Sequence, residues 1–360
     1  MMNGVRKFLE GLSKREDLKV FRPLIKAVDG FFFGVSRTTT PSPYLPHVVD
    51  NIDVKRYMSV VILALLPSVV AGVYFFGIRV ILLIVVSYIC GGTAEVLFAI
   101  VRKRDVEEGF LVTGLIFPLL LPPSVPLWVV GVGVVFGVVF GKEVFGGTGR
   151  NIFNPAMVGR LFLSVAFPAI MAADWREPIL GGAGGFLKFT PDLVTSATPL
   201  IVYKTSHTLT PFTSLLLGKT AGSVGETFRL GIILGGIFLV WTKVANWRIP
   251  VAYITSVVIF SLIGNQLWPE RFAPPLFQVF SGGLLFAAFF MATDPVTSPF
   301  TRAGKWIFGI LLGILTVLIR GVSGYVEGVM FSLVLMNGFA PLIDELVLDR
   351  KFKARSLEVR

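Results

Sequence analysis

Apolar residues along this chain come in long runs, and the basic residues sit in short clusters between them. A helix that crosses a bilayer needs about 20 mostly apolar residues. The runs predict such helices at 57–76, 78–101, 127–140, 154–171, 228–244, 250–264, 276–293, 306–319 and 326–343. The run at 110–126 is weaker, because its apolar residues stop at Pro122-Pro123, and it predicts a short or broken helix. The pattern is that of an all-α polytopic membrane protein with about ten transmembrane helices. Residues 1–56 read as a basic cytoplasmic extension, and residues 21–33 within it have the pattern of a short interfacial amphipathic piece.

The two halves echo each other. Gly109-Phe110-Leu111 leading to Pro122-Pro123-Ser124-Val125-Pro126 is matched by Gly282-Gly283-Leu284 leading to Asp294-Pro295-Val296-Thr297-Ser298-Pro299. A Gly-spaced helix follows each, with Gly131, Gly133 and Gly137 in the first half and Gly309 and Gly313 in the second. An odd number of spans per half makes the halves run in opposite directions, the inverted-repeat plan of transporters whose broken helices meet near the midplane. The expected organisation is an extension (1–56), a first five-helix repeat (57–171), a loop (172–226), a second five-helix repeat (227–346) and a basic tail (347–360).

Lysine and arginine set the orientation. Arg102, Lys103 and Arg104, then Lys142 and Arg150, Lys243 and Arg248, Arg302 and Lys305, and the tail from Arg350 fall in one set of loops; Arg79, Arg271 and Arg320 fall in the other. The positive-inside rule puts both termini in the cytoplasm of a multi-pass protein of the cell (inner) membrane, with the 172–226 loop outside. Composition agrees: 54% of residues are hydrophobic and 15% charged, against roughly 25% charged in soluble domains. The net charge of +11 belongs to these clusters and not to a nucleic-acid-binding face. A single cysteine, Cys90, excludes an intrachain disulfide and an iron–sulfur cluster held by this chain alone. His47 and His207 lack metal-ligand spacing, and no metal site is expected. Only Gln266 and Gln278 represent glutamine, a hint of a thermophile.

Three groups of residues carry candidate chemistry. The first, Asp192-Leu193-Val194-Thr195-Ser196-Ala197-Thr198-Pro199-Leu200, puts three hydroxyls within four positions just before a proline; it reads either as an ordinary exposed turn or as a place for a covalent group. The second, 141–156, is Gly-rich (Gly146, Gly147, Thr148), carries Arg150, Asn151 and Asn154, and opens a helix at Pro155. It is not a P-loop, and a tight turn and a flavin or ion site both stay open. The third is a set of acids inside or beside apolar runs. Glu108, Asp294 and Asp344 adjoin the broken elements and are candidates for a cation path, whereas Glu95 and Glu345 are expected to snorkel to the interface.

The chain resembles the RnfD/NqrB family, membrane subunits of the Rnf complex and of the sodium-translocating NADH:quinone oxidoreductase. The likeness rests on Asp53-Val54-Lys55-Arg56-Tyr57-Met58 with Ala64-Leu65-Leu66-Pro67, on Glu108-Gly109-Phe110-Leu111-Val112-Thr113, on 142–156 and on 192–200. It implies FMN attached through a phosphoester to Thr198 by a flavin transferase, the motif matching at Asp192, Thr195 and Ala197 with Ser196 where glycine is usual. It further implies a non-covalent riboflavin among the helices and sodium or proton movement past Glu108 and Asp344. The partners it implies are membrane iron–sulfur subunits, a further FMN-bearing subunit, and NADH- and ferredoxin-linked subunits. A solute channel or transporter and a membrane scaffold are the competing readings. The compact 172–226 loop and the thermophile hint favour the Rnf-type ferredoxin:NAD+ complex, while the N-terminal extension favours the quinone-reducing relative.

Overall fold

The computed structural model describes residues 54–103, 109–173, 175–181, 184–190 and 196–358. The 21–33 piece, most of the N-terminal extension, Glu108, Asp192 and Thr195 lie outside the described residues. Among those described, every regular element is helical. The first half contains α1 (Val54–Phe76), α2 (Arg79–Arg102), α3 (Phe110–Leu119), α4 (Leu127–Gly141), α5 (Pro155–Ala166) and the short α6 (Pro168–Ala173). Two small helices follow in the connecting region, α7 (Pro199–Ser206) and α8 (Phe212–Leu217). The second half has α9 (Arg229–Trp241), α10 (Arg248–Leu267), α11 (Pro275–Phe280), α12 (Leu284–Phe290), α13 (Arg302–Val322) and α14 (Val329–Glu358).

Six helices are long and apolar enough to cross a membrane: those starting at Tyr57, Arg79, Leu127, Arg248, Arg302 and Val329. Helices α3, α5 and α9 are apolar but shorter. The expected span at 276–293 is two helices, α11 and α12, because the chain breaks at Ser281-Gly282-Gly283, with Gly282 at φ +63°. The basic tail is not a separate unit either, since α14 continues through it to Glu358.

Hydrogen bonds give each helix a direction. Helix α2 starts where Ile78 N and Arg79 N donate to the carbonyls of Lys188 and Phe189, and it ends where Arg102 meets Glu143 at 2.8 Å. At 1.5 Å per residue its 24 residues cover about 36 Å. Its two ends therefore mark two faces, called here the Thr198 face and the Lys142 face. Helix α10 runs the other way, from Arg248 beside the Lys142 face to Trp268, close to the point where the Tyr203 hydroxyl reaches Phe272 O. The same reversal relates α4 to α13, which starts at Thr301 and ends at Ser323, whose carbonyl accepts from Lys204. The packing order repeats too: α2 packs on α3 and α4 as α10 packs on α11, α12 and α13, and α4 packs on α5 as α13 packs on α14. Across the halves α1 meets α9 and α5 meets α14. The inverted five-helix repeat is thus present, with the broken elements α3 and α11–α12 between the halves.

Small residues bring these helices close, as membrane packing requires. A Cβ on Gly137 of α4 would sit 2.4 Å from Pro155 O of α5, and one on Gly313 of α13 would sit 2.6 Å from the Ser256 side chain of α10. Gly137→Ala is expected to lower stability by about 1–3 kcal/mol despite alanine's better helix propensity. Gly92→Ala, whose nearest neighbour is a Phe110 ring atom at 3.4 Å, should be close to neutral. Thermal unfolding of the detergent-solubilised protein compares the two.

Candidate functional site

The Gly-rich segment and the second-half break come together on the Lys142 face. Helix α4 ends at Gly141 and passes through a 3-10 turn, Glu143–Phe145; Gly146 and Gly147 then take φ +116° and +99°, reversing the chain. Asn154 stops the turn by capping α5, its Oδ1 accepting from Ala156 N at 3.1 Å with Pro155 at the first helical position. Asn151 closes the loop on itself, Nδ2 donating to Phe153 O at 3.1 Å. The segment is therefore a tight turn whose polar groups also face a cavity.

That cavity, about 70 Å³, is lined by Thr148, Asn151 and Asn154 together with Tyr57, Thr113, Lys142, Thr293 and Asp294. A water needs about 10–15 Å³ of such space, so there is room for a small hydrated cation and not for a ring system. Asp294 is held by its own turn: Oδ1 accepts from Val296 N at 3.3 Å and Oδ2 from the Thr297 hydroxyl at 3.0 Å. The Tyr57 hydroxyl donates to Val244 O and ties α1 to the α9–α10 connection on the same wall.

Lys142 brings a charge that its place in a turn does not suggest. Its Nζ lies 2.7 Å from Glu95 Oε1, with both side chains 3–4% exposed. Glu95 is thus not snorkelled to the interface as expected: α2 packs on α4, so its inner face is closed to solvent and the carboxylate takes a buried partner. Glu345 is exposed.

A larger vestibule of about 670 Å³ adjoins the cavity and shares Asn151 and Val296 with it. Gly149, Arg150, Phe300, Asp344 and Phe352 are among its lining residues. Its volume falls within the roughly 300–1,000 Å³ of small-molecule sites. Asp344 is heavily engaged there. Oδ2 accepts from Phe300 N at 2.6 Å, and Oδ1 accepts from Thr301 N at 3.0 Å and from the Thr301 hydroxyl at 2.5 Å. Since Thr301 caps α13, Asp344 fastens α14 to the start of α13.

Thr198 lies on the opposite face. It is half-buried, with extended backbone, and is the N-cap of α7; its Oγ1 accepts from Ile201 N at a long 3.4 Å, and Pro199 occupies the first helical position. Ala197 beside it is exposed. Ser196 does not take a positive φ, so its Cβ causes no strain where glycine is usual, and its N–H donates to Trp175 O at 3.2 Å. Helix α7 is anchored to the second repeat. Lys204 Nζ donates to Ser323 O at 2.6 Å, partial burial lowering its pKa, and Leu200 packs with Leu215, Ala273 and Phe277.

Sequence reasoning missed the Lys142–Glu95 pair and Tyr57. It also placed Arg320 in an exposed loop, whereas Arg320 is buried at the end of α13, its Nη1 donating to Gln278 O at 2.7 Å and its Nη2 to Ser281 O at 3.1 Å. The missed signal was charge at a span end, where burial and snorkelling look alike in sequence.

Removing one member of a buried ion pair strands the other. Lys142→Met is expected to cost about 3–5 kcal/mol, and the double variant Lys142→Met, Glu95→Leu should recover much of that loss in the same unfolding measurement.

The chain matches the sequence profile of the NQR2, RnfD, RnfE family over residues 42–353. Among curated proteins it is similar to the NqrB subunit of the Na(+)-translocating NADH-quinone reductase of Ectopseudomonas mendocina, 36% identical with 98% of each chain covered. The protein of the same name from Pseudomonas paraeruginosa is 38% identical over 92% of this chain and 93% of its own. That from Klebsiella pneumoniae is 34% identical over 94% of each.

Proposed function

The chain belongs to the NQR2, RnfD, RnfE family, and on that footing we propose that it is the NqrB membrane subunit of a sodium-translocating NADH:quinone oxidoreductase, carrying a covalent flavin and coupling electron transfer to cation movement. The observation that carries this reading is the near end-to-end match to relatives of that name. It favours the quinone-reducing alternative over the Rnf-type complex.

Thr198 suits the attachment of FMN. Its hydroxyl is half-buried and makes only a long capping contact, so it can be modified without breaking a strong bond. In the attachment, Thr198 Oγ loses its proton and bonds to the flavin-proximal phosphorus of FAD while the bond to the distal phosphate breaks, releasing AMP. The remaining phosphodiester keeps a negative charge at the amino end of α7, where the free N–H groups and the helix dipole favour it. Asp192 and Thr195 complete the motif in sequence, and Ser196 holds the segment to Trp175 O. A flavin at this place supplies one- and two-electron transfer. The positive-inside pattern supports the outer side for Thr198 and the cytoplasm for the Lys142 face.

On the Lys142 face the vestibule has the volume for the non-covalent riboflavin, with Gly149, Arg150 and Asn151 at its polar edge and Phe300 and Phe352 as apolar walls. The smaller cavity suits the cation, with the Asp294 carboxylate and the Thr113 and Thr293 hydroxyls as oxygen donors. Glu108, one residue before Gly109 on the cavity wall, extends that path in sequence. Asp344 acts by positioning the Phe300–Thr301 turn between vestibule and cavity. Electron transfer would require the other subunits of the complex, with NADH and iron–sulfur sites.

In-gel flavin fluorescence of the denatured chain, co-expressed with a flavin transferase, tests the attachment. A fluorescent band is expected for the natural sequence and for Thr198→Ser, and no band for Thr198→Ala. A dark natural chain beside an active transferase would return the protein to the solute-transporter class.

A further inference from the structure

A second charged cavity lies between the repeats, towards the Thr198 face. It holds about 30 Å³, room for about two waters, and is lined by Arg160, Ser223, Glu226, Gly283 and Glu327 among others. The lining of both cavities shows that they follow one another along the same helices. Ile116 of α3, Pro155 of α5 and Phe290 of α12 face the first cavity, while Leu120, Arg160 and Ala287 of the same helices face the second.

The two carboxylates flank the second break. A Cβ built on Gly283 would lie 3.1 Å from Glu226 Oε2 and 3.8 Å from Glu327 Oε1. Glu226 is 6% exposed and Oε1 accepts from Ser223 N at 2.9 Å; Ser223 Oγ faces the same space without a hydrogen bond of normal length. Glu327 is 24% exposed, so the cavity reaches towards the Thr198 face. Two acids this close, away from bulk water, need a cation between them.

Three arginines are near, and they are held differently. Arg229 is clamped by Leu215 O at 2.8 Å, the Thr220 hydroxyl at 3.1 Å and Thr227 O at 3.2 Å. Arg320 is clamped by Gln278 and Ser281, as described above, and reaches Glu327 at 3.4 Å. Arg160 is 8% exposed, yet its guanidinium bonds only to Ser164 Oγ, one turn along its own helix, at 2.8 Å. It faces both glutamates, and its charge interacts with each. Of the three it is the one whose head group no backbone carbonyl fixes.

We propose that the Arg160–Glu226–Glu327 cavity is a second station for the transported monovalent cation, and that Arg160 is a tethered cation that neutralises the two carboxylates until the transported ion displaces it. The inference rests on the cation-translocating reading above. While Arg160 holds the cavity, an ion cannot pass between the Thr198 face and the Asp294 cavity. When an ion arrives from the Asp294 side, Arg160 swings away and the ion leaves past Glu327. Arg160 is a positioning residue for this exchange and takes no part in electron transfer.

The test uses the complete complex in sealed liposomes, following NADH oxidation, uptake of radiolabelled sodium, a lumenal pH dye and passive sodium efflux without NADH. Arg160→Gln is expected to keep electron transfer near the natural rate, reduce cation uptake per electron several-fold and raise passive efflux several-fold. Arg160→Lys, which keeps the tethered charge, should restore tightness and uptake. Sodium uptake and dye response identify the ion as sodium or the proton. Uptake and efflux unchanged in Arg160→Gln would overturn the proposal, as would an Arg160→Lys complex as leaky as Arg160→Gln or one that fails to assemble. A natural complex that oxidises NADH without moving any cation would instead overturn the translocation reading itself.

Discussion

Broken helices inside a membrane leave backbone groups that no water can satisfy, and meeting that demand organises this protein. At the first break Arg79 donates to Ser124 O at 3.1 Å and Val125 O at 3.0 Å, and the amides of Val224 and Gly225 reach Leu121 O and Leu119 O at 3.2 and 2.7 Å. At the second break Arg320 takes the carbonyls of Gln278 and Ser281, and Glu327 accepts from Gly283 N at 3.2 Å. Each repeat thus uses an arginine at a helix terminus to hold open a polar interruption. Because the interruptions are held, cavities exist between the repeats at all.

The same arrangement links the two faces. Leu200, two residues after Thr198, comes within 2.8 Å of where a Cβ would sit on Gly282, a position that also lies 2.8 Å from Glu327 Oε1. A change of charge or volume at Thr198 is therefore felt at the second break through one packed side chain. Coupling in this account is a shift between two occupancies of the cavities, biased by the redox state of a group carried on α7.

Much of this was legible in the sequence. Apolar runs gave the full-length helices, and the echo between 109–126 and 282–299 gave the inverted repeat, because glycine and proline mark breaks wherever they fall. The Gly-rich 141–156 segment and Asp294 were legible separately; their meeting in one cavity was not, since it depends on α5 and α12 packing from opposite halves. Charge at helix ends was least legible. Glu95, Arg320 and Glu226 sit beside apolar runs, as snorkelling residues do, and only the tertiary packing buries them. Arg160 stood inside the 154–171 run, and a charge there was itself a signal of a functional position.

The most direct test of the central claim is mass spectrometry of the tryptic peptide 189–204, released between Lys188 and Lys204, from the complex purified intact from its own cells. The account predicts a peptide heavier by FMN less one water, with the added mass localised to Thr198 by fragmentation. An unmodified peptide, in a preparation where another subunit of the same complex does carry covalent FMN, would contradict it.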